Sequence, residues 1–225
     1  MIKLGRTDVM NIENAIRGMR NPMNSWDKSD SGFGCRFYDR VLLCDKCEDK
    51  CGNCGRHYVL GSDDLNLAQR LCKAGSDHRK FMRQIFVSVD ITAPLYWWKE
   101  YDTYKVGTVA NSTSTMHKIH AKEFTLEDFS HERMVYGTKY ILTKYIIPNL
   151  NELREEFNEH KDKKVWYSMI QLLPCCYNQL RTCTLTYENL RNMYHARKNH
   201  KLDEWVQFTE WIKSLPYSKE LIIGE

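Results

Sequence analysis

The sequence is poor in the residues that most often interrupt regular structure. Its 225 residues hold only five prolines and eleven glycines. It has no internal repeat, no low-complexity segment and no Pro/Gly-rich linker long enough to separate two domains, which leaves one large domain or one domain plus a small module. Long apolar runs are missing too. The stretches around Tyr96–Trp98 and Tyr145–Ile147 fall far short of the ~18–20 apolar residues a membrane helix needs, so no membrane association is expected. Met1 to Met10 lacks an apolar h-region, so no secretory signal is expected. Nor does one sign of charge dominate. The net charge of +4 permits an anionic ligand or nucleic acid and demands neither.

Aromatic residues are plentiful at 12%, with six Trp, and hydrophobic residues reach 42%. That content fills a sizeable core and argues against disorder. Cysteines number nine. An odd count without a secretory signal argues against a disulfide framework and for a reducing compartment, where clustered thiols bind metal or stay free. Cys44, Cys47, Cys51 and Cys54 read C-x2-C-x3-C-x2-C. Each C-x2-C pair suits a chelating turn, and four thiolates make a tetrahedral soft-metal site with no open position, hence a structural one. Zinc is favoured and an iron–sulfur cluster stands second. The gap between the pairs is shorter than in ordinary zinc ribbons, so four reduced thiols in a polar loop remain the competing reading. Cys35, Cys72, Cys175, Cys176 and Cys183 sit in apolar or strand contexts, where cysteine mostly fills space.

Along the chain, Asn21 to Gly34 is the most turn-like segment. Ser62 suits a helix cap ahead of Leu65, Ala68, Leu71 and Cys72, with Gly75 as the stop. Ile85, Val87, Val89 and Ile91 alternate as in a strand. Pro94 suits the first turn of a helix running through Tyr96, Trp97, Trp98 and Tyr101 toward Lys105. Gly107 to Thr115 reads as a loop. Thr125 with Asp128 predicts a cap before Phe129, Pro148 opens a helix, Val165 to Leu173 forms another, and Arg181 to Tyr187 predicts a second strand. Leu190, Met193, Tyr194 and Arg197 then share a helix face, and a last helix carries Leu202, Trp205, Phe208, Ile212 and Leu215 up to Pro216. The sum is a helix-rich α+β domain with a small antiparallel sheet and a cysteine-rich loop. Residues 1–61 form an amino-terminal segment carrying that loop (44–54). Residues 62–225 form the main domain, and together they make one compact domain.

Arg197 is the chemically pointed residue. A guanidinium on an apolar face needs a carboxylate, a phosphate or a ligand, unless it snorkels outward at a helix end. Its neighbours Arg191, His195, Lys198, His200 and Lys201 make the segment basic. Thr108 and Asn111 to Thr115 offer hydroxyl and amide groups that suit a phosphate or an ordinary turn. Tyr96, Trp97, Trp98, Tyr101 and Tyr104 suit stacking on a flat ring, or core packing.

Three stretches, in order, resemble the flavin-dependent thymidylate synthase family, the ThyX type. The first is Lys73-Ala74-Gly75-Ser76-Asp77-His78 followed by the strand from Arg83 to Ile91. The second is Ala93-Pro94 with its aromatic helix and Ser-rich loop, where the family carries Arg-His-Arg-x-x-Ser preceded by Arg-Gln. The third is Leu173-Pro174, a strand, and a helix with Leu190, Asn192 and Arg197. Residues 62–216 are covered, with a variable middle. This chain departs from the pattern: the triplet falls on Thr103-Tyr104-Lys105, the Arg-Gln on Lys99-Glu100, and the family's Asn-Glu-x-Ser-x-Arg loses its arginine within Ala110 to Thr115. The strand's Asn-x-Arg becomes Thr186-Tyr187-Glu188, and the cysteine cluster lies outside the family pattern. Tyr96-Trp97-Trp98-Lys99-Glu100 and Ser114-Thr115-Met116-His117 resemble features of a phage-type group that carries the family's name.

The resemblance implies methylation of dUMP, or a related pyrimidine nucleotide, at C5, with methylenetetrahydrofolate as one-carbon donor, NADPH as reductant and FAD as cofactor. It makes Arg197 the catalytic residue, polarising the uracil ring. It puts Lys99, Glu100, Ser112, Thr113, Ser114 and Arg197 at the nucleotide. It puts His78, Tyr104, Lys105, Thr108 and Asn192 at the flavin. It further implies a cytoplasmic homotetramer, in a bacterial host if phage-encoded. The lost motif cations and the added cysteines support a different class: an inactive relative that keeps the fold as a metal-stabilised module binding nucleic acid or a protein.

Overall fold

The computed structural model describes residues 1–34 and 57–224. Its strands are β1 (Lys3–Met10), β2 (Gly32–Gly34), β3 (His57–Val59), β4 (Phe86–Pro94), β5 (Val109–Ser112) and β6 (Asn178–Thr186). Its helices are α1 (Ile12–Met19), α2 (Ser62–Lys73), α3 (Leu95–Tyr101), α4 (Tyr136–Ile141), α5 (Ile147–His160), α6 (Lys163–Leu172), α7 (Tyr187–Arg197) and α8 (Asp203–Lys213). The main sheet runs β1-β4-β6-β5, and β2 pairs with β3 in a separate two-stranded sheet. This is the helix-rich α+β class with a small sheet that the sequence predicts. Cys35 and the four clustered cysteines lie outside the described residues, and among the described residues no group of His, Cys, Asp or Glu could hold a metal.

By contacts the chain divides into two compact units. The first comprises Met1–Thr7, Val89–Thr184 and Asn199–Phe208; the second comprises Asp8–Ser88, Leu185–Lys198 and Thr209–Glu225.

In the first unit, β5 pairs antiparallel with β6, Val109 facing Thr184 and Ser112 facing Arg181. The sequence reads this stretch as loop because Val-Ala-Asn-Ser has little strand propensity and no buried face. All four residues are exposed, so only the backbone ladder to β6 makes it a strand. The Thr125–Asp128 capping box forms as predicted, but it closes a single 3₁₀ turn, Leu126–Asp128. Pro148 lies in the first turn of α5 as predicted. A π-helical stretch, Leu142–Ile146, precedes it and continues from α4. Under α5 and α6 lies a core of Ile119, Phe124, Phe129, Leu142, Leu150 and Met169.

The second unit is organised by one buried carboxylate. Asp64 is fully buried on α2 and pairs with Arg20, also buried, at 2.5 Å. Its other oxygen accepts from the Ser29 and Ser31 hydroxyls at 2.7 and 2.5 Å and from the Ser31 N–H at 3.1 Å. Burial alone would raise its pKa; hydrogen bonds from Ser31, Ser29 and Arg20, with the Arg20 charge, outweigh burial and hold it below the usual carboxylate range. Ser62 does not cap α2. The orphan N–H groups of Asp63 and Asp64 donate instead to the carboxylate of Asp30, at 2.9 and 3.0 Å. Gly61 permits this approach, since a Cβ there would lie 2.1 Å from the Asp30 side chain. α7 begins with a capping box between Thr186 and Asn189. It packs on the 3₁₀ segment Arg79–Gln84 and on Ser218–Ile223. There Glu188 pairs with Arg79 at 3.1 Å and with Arg83.

Removing the Asp64 carboxylate strands Arg20 in the interior, so Asp64→Ala should cost about 3–5 kcal/mol in denaturant unfolding. Because the folded-state pKa is lowered, this stabilisation is complete above the unfolded value of about 4 and is lost as pH falls through the folded value. Asp64→Asn should therefore flatten the acid limb of the stability–pH profile; identical acid limbs in the two proteins would contradict this account.

Candidate functional site

Four of the nominated residues stand on or beside α3 in the first unit. This helix follows Pro94, which occupies its N-cap position with extended backbone. Trp97, Trp98 and Tyr101 turn inward and are 0%, 1% and 3% exposed. Trp97 meets Trp98, Tyr101, Trp205 and Phe208 with ring centroids 4.9–5.5 Å apart. Core packing, rather than a stacking platform, is the role of these three rings.

With that face fixed, Tyr96, Lys99 and Glu100 look away from the core. The Trp205 indole N–H donates to Glu100 Oε2 at 2.8 Å, and His200 Nε2 lies 3.4 Å from the same oxygen. Tyr104 sets its ring 6.0 Å from Trp205. Glu100, Tyr104, His200 and Trp205 thus converge. Sequence reading nominates the first two and misses the other two as site residues. Their signal was weak because α8 lies a hundred residues away and Trp205 read as core. Tyr96 donates to the buried Glu204 at 2.5 Å. Burial first, and then the Glu204 carboxylate, push the Tyr96 phenol well above its ordinary range.

The hydroxyl-rich stretch is held by local bonds. Thr108 Oγ1 donates to the Lys105 carbonyl at 3.2 Å, closing a turn. Thr113 bonds to the Leu180 carbonyl through both its N–H and its hydroxyl, at 2.9 and 3.3 Å. Ser114 Oγ accepts the N–H groups of Met116 and His117 at 3.2 and 2.8 Å. Ser112 and Lys105 are exposed. Lys99 points its ammonium at the exposed Cys175 thiol, 3.6 Å away. Of the cysteines expected to fill space, Cys72 and Cys183 are buried, whereas Cys175 is exposed and Cys176 intermediate. Arg181 is a cation sequence reading passed over. It bonds Asp102 at 2.9 Å and lies 4.1 Å from the Trp98 ring, so its charge is compensated within the unit.

The second unit holds His78, Asn192 and Arg197. His78 is exposed and helps line a cavity of about 390 Å³ with Met19, Met23, Leu71, Lys80 and Phe81. Its walls mix apolar side chains with an imidazole, an ammonium and the Asp77 carboxylate, which admits a flat ring without selecting an anionic one, and the volume lies within the ~300–1,000 Å³ range of ligand pockets. Asn192 is exposed on α7. Arg197 is its last residue and is half-buried. The helix face predicted for it is real: Leu190, Met193 and Tyr194 are all buried.

No family model matches the chain, and no curated protein matches it. Solved structures do. Thymidylate synthase X (ThyX) from Helicobacter pylori, solved with FAD and dUMP, aligns with a TM-score of 0.64 at 13% identity, covering 99% of this chain and 97% of that one. A second structure, of the flavin-dependent thymidylate synthase ThyX from the same organism complexed with FAD and dUMP, gives the same score and identity over 98% and 97%. The chain therefore has a ThyX-like fold. Among the described residues, no helix is long and apolar enough to cross a membrane.

The site around Glu100 depends on Trp97 beneath it. Trp97→Ala should cost about 3–5 kcal/mol in equilibrium unfolding. Trp205→Phe keeps most of the ring contact and loses the charge-assisted bond to Glu100, so about 1–3 kcal/mol is expected. If Trp205→Phe cost as much as Trp97→Ala, the hydrogen bond would not be what it chiefly removes.

Proposed function

We propose that the chain is a flavin-dependent enzyme of the thymidylate synthase type, methylating dUMP or a related pyrimidine nucleotide at C5. The observation that carries this reading is the agreement of fold over nearly the whole of both chains with an enzyme solved with FAD and dUMP. Methylenetetrahydrofolate would give the carbon and NADPH the reducing equivalents. Bound FAD would supply the redox chemistry.

The chain's own residues would bind and orient. Arg197 would face the uracil carbonyls, where a guanidinium stabilises negative charge developing on the ring and makes C5 nucleophilic. Lys99, Glu100 and the Ser112–Ser114 stretch would meet the nucleotide. His78, with the cavity it lines, would meet the flavin ring, together with Tyr104, Lys105, Thr108 and Asn192. Lys105 would meet a phosphate as a point charge rather than as a bidentate fork. Cys44, Cys47, Cys51 and Cys54 would hold a structural zinc. Assembly as a homotetramer, and kinship with the phage-type group, belong to the same proposal.

A second reading has a specific support. Glu100 is engaged by Trp205 and His200, and the Thr108 hydroxyl closes a turn. At the positions of the family's glutamine and motif serine this chain has groups already occupied, and the motif cations at Thr103 and within Ala110 to Thr115 are lost, as in an inactive relative that binds nucleic acid or a protein.

Purified protein should be yellow, with flavin absorbance, and should form dTMP from dUMP when given methylenetetrahydrofolate and NADPH. Arg197→Ala should lower turnover by at least about a hundredfold, in line with the loss of one stabilising donor at a developing charge. Colourless protein that forms no dTMP and fails to rescue a thymidine auxotroph would overturn the first reading; DNA or RNA binding whose affinity falls steeply with salt would support the second.

A further inference from the structure

A cavity of about 300 Å³ lies in the first unit, lined by His117, His120, Phe157, Lys161, Lys163 and Trp166. Its lining has two ammonium groups, two imidazoles, an indole and a phenyl ring, and no carboxylate. That composition is unlike another cavity of this unit, beside Tyr96, where Arg133 pairs with Asp203 and Glu204 accepts from Tyr96.

The walls are held in place by bonds that do not use the cations. Ser114 Oγ fixes the turn that presents His117. The Trp166 indole N–H donates to the Met116 carbonyl of the same turn at 3.1 Å. The two rings stand nearly parallel, 24° apart in plane and 6.5 Å between centroids. Asn158 holds the His120 carbonyl at 3.2 Å, and His120 sets its ring edge-on to Phe157 at 4.7 Å. Lys161 ends α5 in the left-handed conformation, φ 56°, its N–H bonded to the Phe157 carbonyl.

The charges, by contrast, are uncompensated. Lys161 lies 5.3 Å from the Phe157 ring and Lys163 5.7 Å from the Tyr167 ring; among the described residues neither forms an ion pair. Of the neighbouring acids, Asp162 accepts the Lys164 N–H at 2.7 Å and Glu159 lies 3.8 Å from His160, and neither forms an ion pair with Lys161 or Lys163 among the described residues. The Nδ1 of His120 is buried without a hydrogen-bond partner among the described residues. Burial, and then the charges of Lys161 and Lys118, push its pKa down, so the ring is neutral near pH 7 and offers one donor and one acceptor. A buried polar atom without a partner, in a cavity edged by free cations and flanked by near-parallel rings, implies an occupant that is anionic and flat.

We propose that this cavity binds a nucleotide-type ligand, a planar aromatic ring carrying a phosphate. The ring lies against Trp166 and His117, the phosphate meets Lys161 and Lys163, and His120 supplies a hydrogen bond. The resemblance assigns a flavin or nucleotide role to none of the six lining residues, although His117 ends one of the stretches that carry it, so the assignment stands whether or not the chain carries flavin. The ligand is either a free mononucleotide or a nucleotide of a single strand, since both present the same ring and phosphate.

Calorimetric titration of the full chain at low salt with AMP, UMP, adenosine, inorganic phosphate and an oligothymidylate tests it. A mononucleotide should bind. Adenosine and phosphate alone should each bind at least tenfold more weakly. The Lys161→Ala/Lys163→Ala double variant should weaken mononucleotide binding at least tenfold, and His117→Ala several-fold. All three side chains are exposed, so the fold should survive, which circular dichroism checks. Oligothymidylate binding tighter than the mononucleotides identifies a strand as the source; equal or weaker binding identifies the free nucleotide. The proposal is overturned by any of three results: no binding of mononucleotide or oligomer, unchanged affinity in the double variant, or inorganic phosphate binding as well as AMP. Flavin absorbance and dTMP formation report on the proposed enzyme separately from every one of these readings.

Discussion

The buried indole of Trp97 is the constraint on which the functional face of α3 depends. Four aromatic neighbours surround it within 5.5 Å. Its N–H is buried with no acceptor among the described residues, so packing holds it there against the cost of an unmade hydrogen bond. A helix as short as α3 has little intrinsic stability. Its rotation is set by which side chains the core accepts. Once Trp97, Trp98 and Tyr101 are inside, Lys99 and Glu100 must be outside, and the Trp205 that packs on Trp97 also reaches the Glu100 carboxylate. Core and site share a residue, Trp205, whose ring serves one and whose N–H serves the other.

Asp64 plays the matching part in the second unit, with a different kind of interaction. An aromatic cluster is tolerant in angle; a carboxylate with an arginine and two hydroxyls is not. Arg20, Ser29 and Ser31 must all present donors to two oxygens, which fixes the turn-rich segment 20–31 against the first turn of α2. Asp30 then caps that helix from outside it. The sequence motif at Ser62 was a reasonable cap by local rules. A charged acceptor delivered by tertiary structure displaced it, because an ionised carboxylate bonds backbone N–H groups more strongly than a hydroxyl.

These two cases show where legibility ended. Features resting on local periodicity were readable: the alternation in β4, the apolar faces of α2, α7 and α8, and the place of Pro148 in α5. Features resting on partners distant in sequence were not. β5 is a strand only because β6 lies beside it. Glu100 takes its environment from His200 and Trp205, a hundred positions on. Arg181 is neutralised by Asp102, 79 positions earlier. Family resemblance located the fold from His78, Ala93-Pro94, Leu173-Pro174, Asn192 and Arg197, positions scattered too thinly for periodicity to weigh. It could not say what the surrounding residues do with one another.

The distribution of cations follows from the same reasoning. The family pattern puts arginines where this chain has Lys99, Thr103 and Lys105, and a neutral glutamine where it has Glu100. Around Glu100 the indole N–H and the His200 imidazole serve a carboxylate, so the local field there is arranged for a negative side chain already present. A second anion would face repulsion at short range, in a half-buried setting where water screens only part of it. Arg181 and Arg133 are each matched by an aspartate. Lys161 and Lys163 form no ion pair within the described residues, and they edge the cavity in which His117 and Trp166 stand nearly parallel. A chain that keeps a fold while changing its charges changes where that fold attracts an anion. In the first unit the uncompensated positive field, the flat walls and the unpartnered His120 nitrogen coincide at one cavity, and that coincidence, rather than any single lysine, is what defines a site.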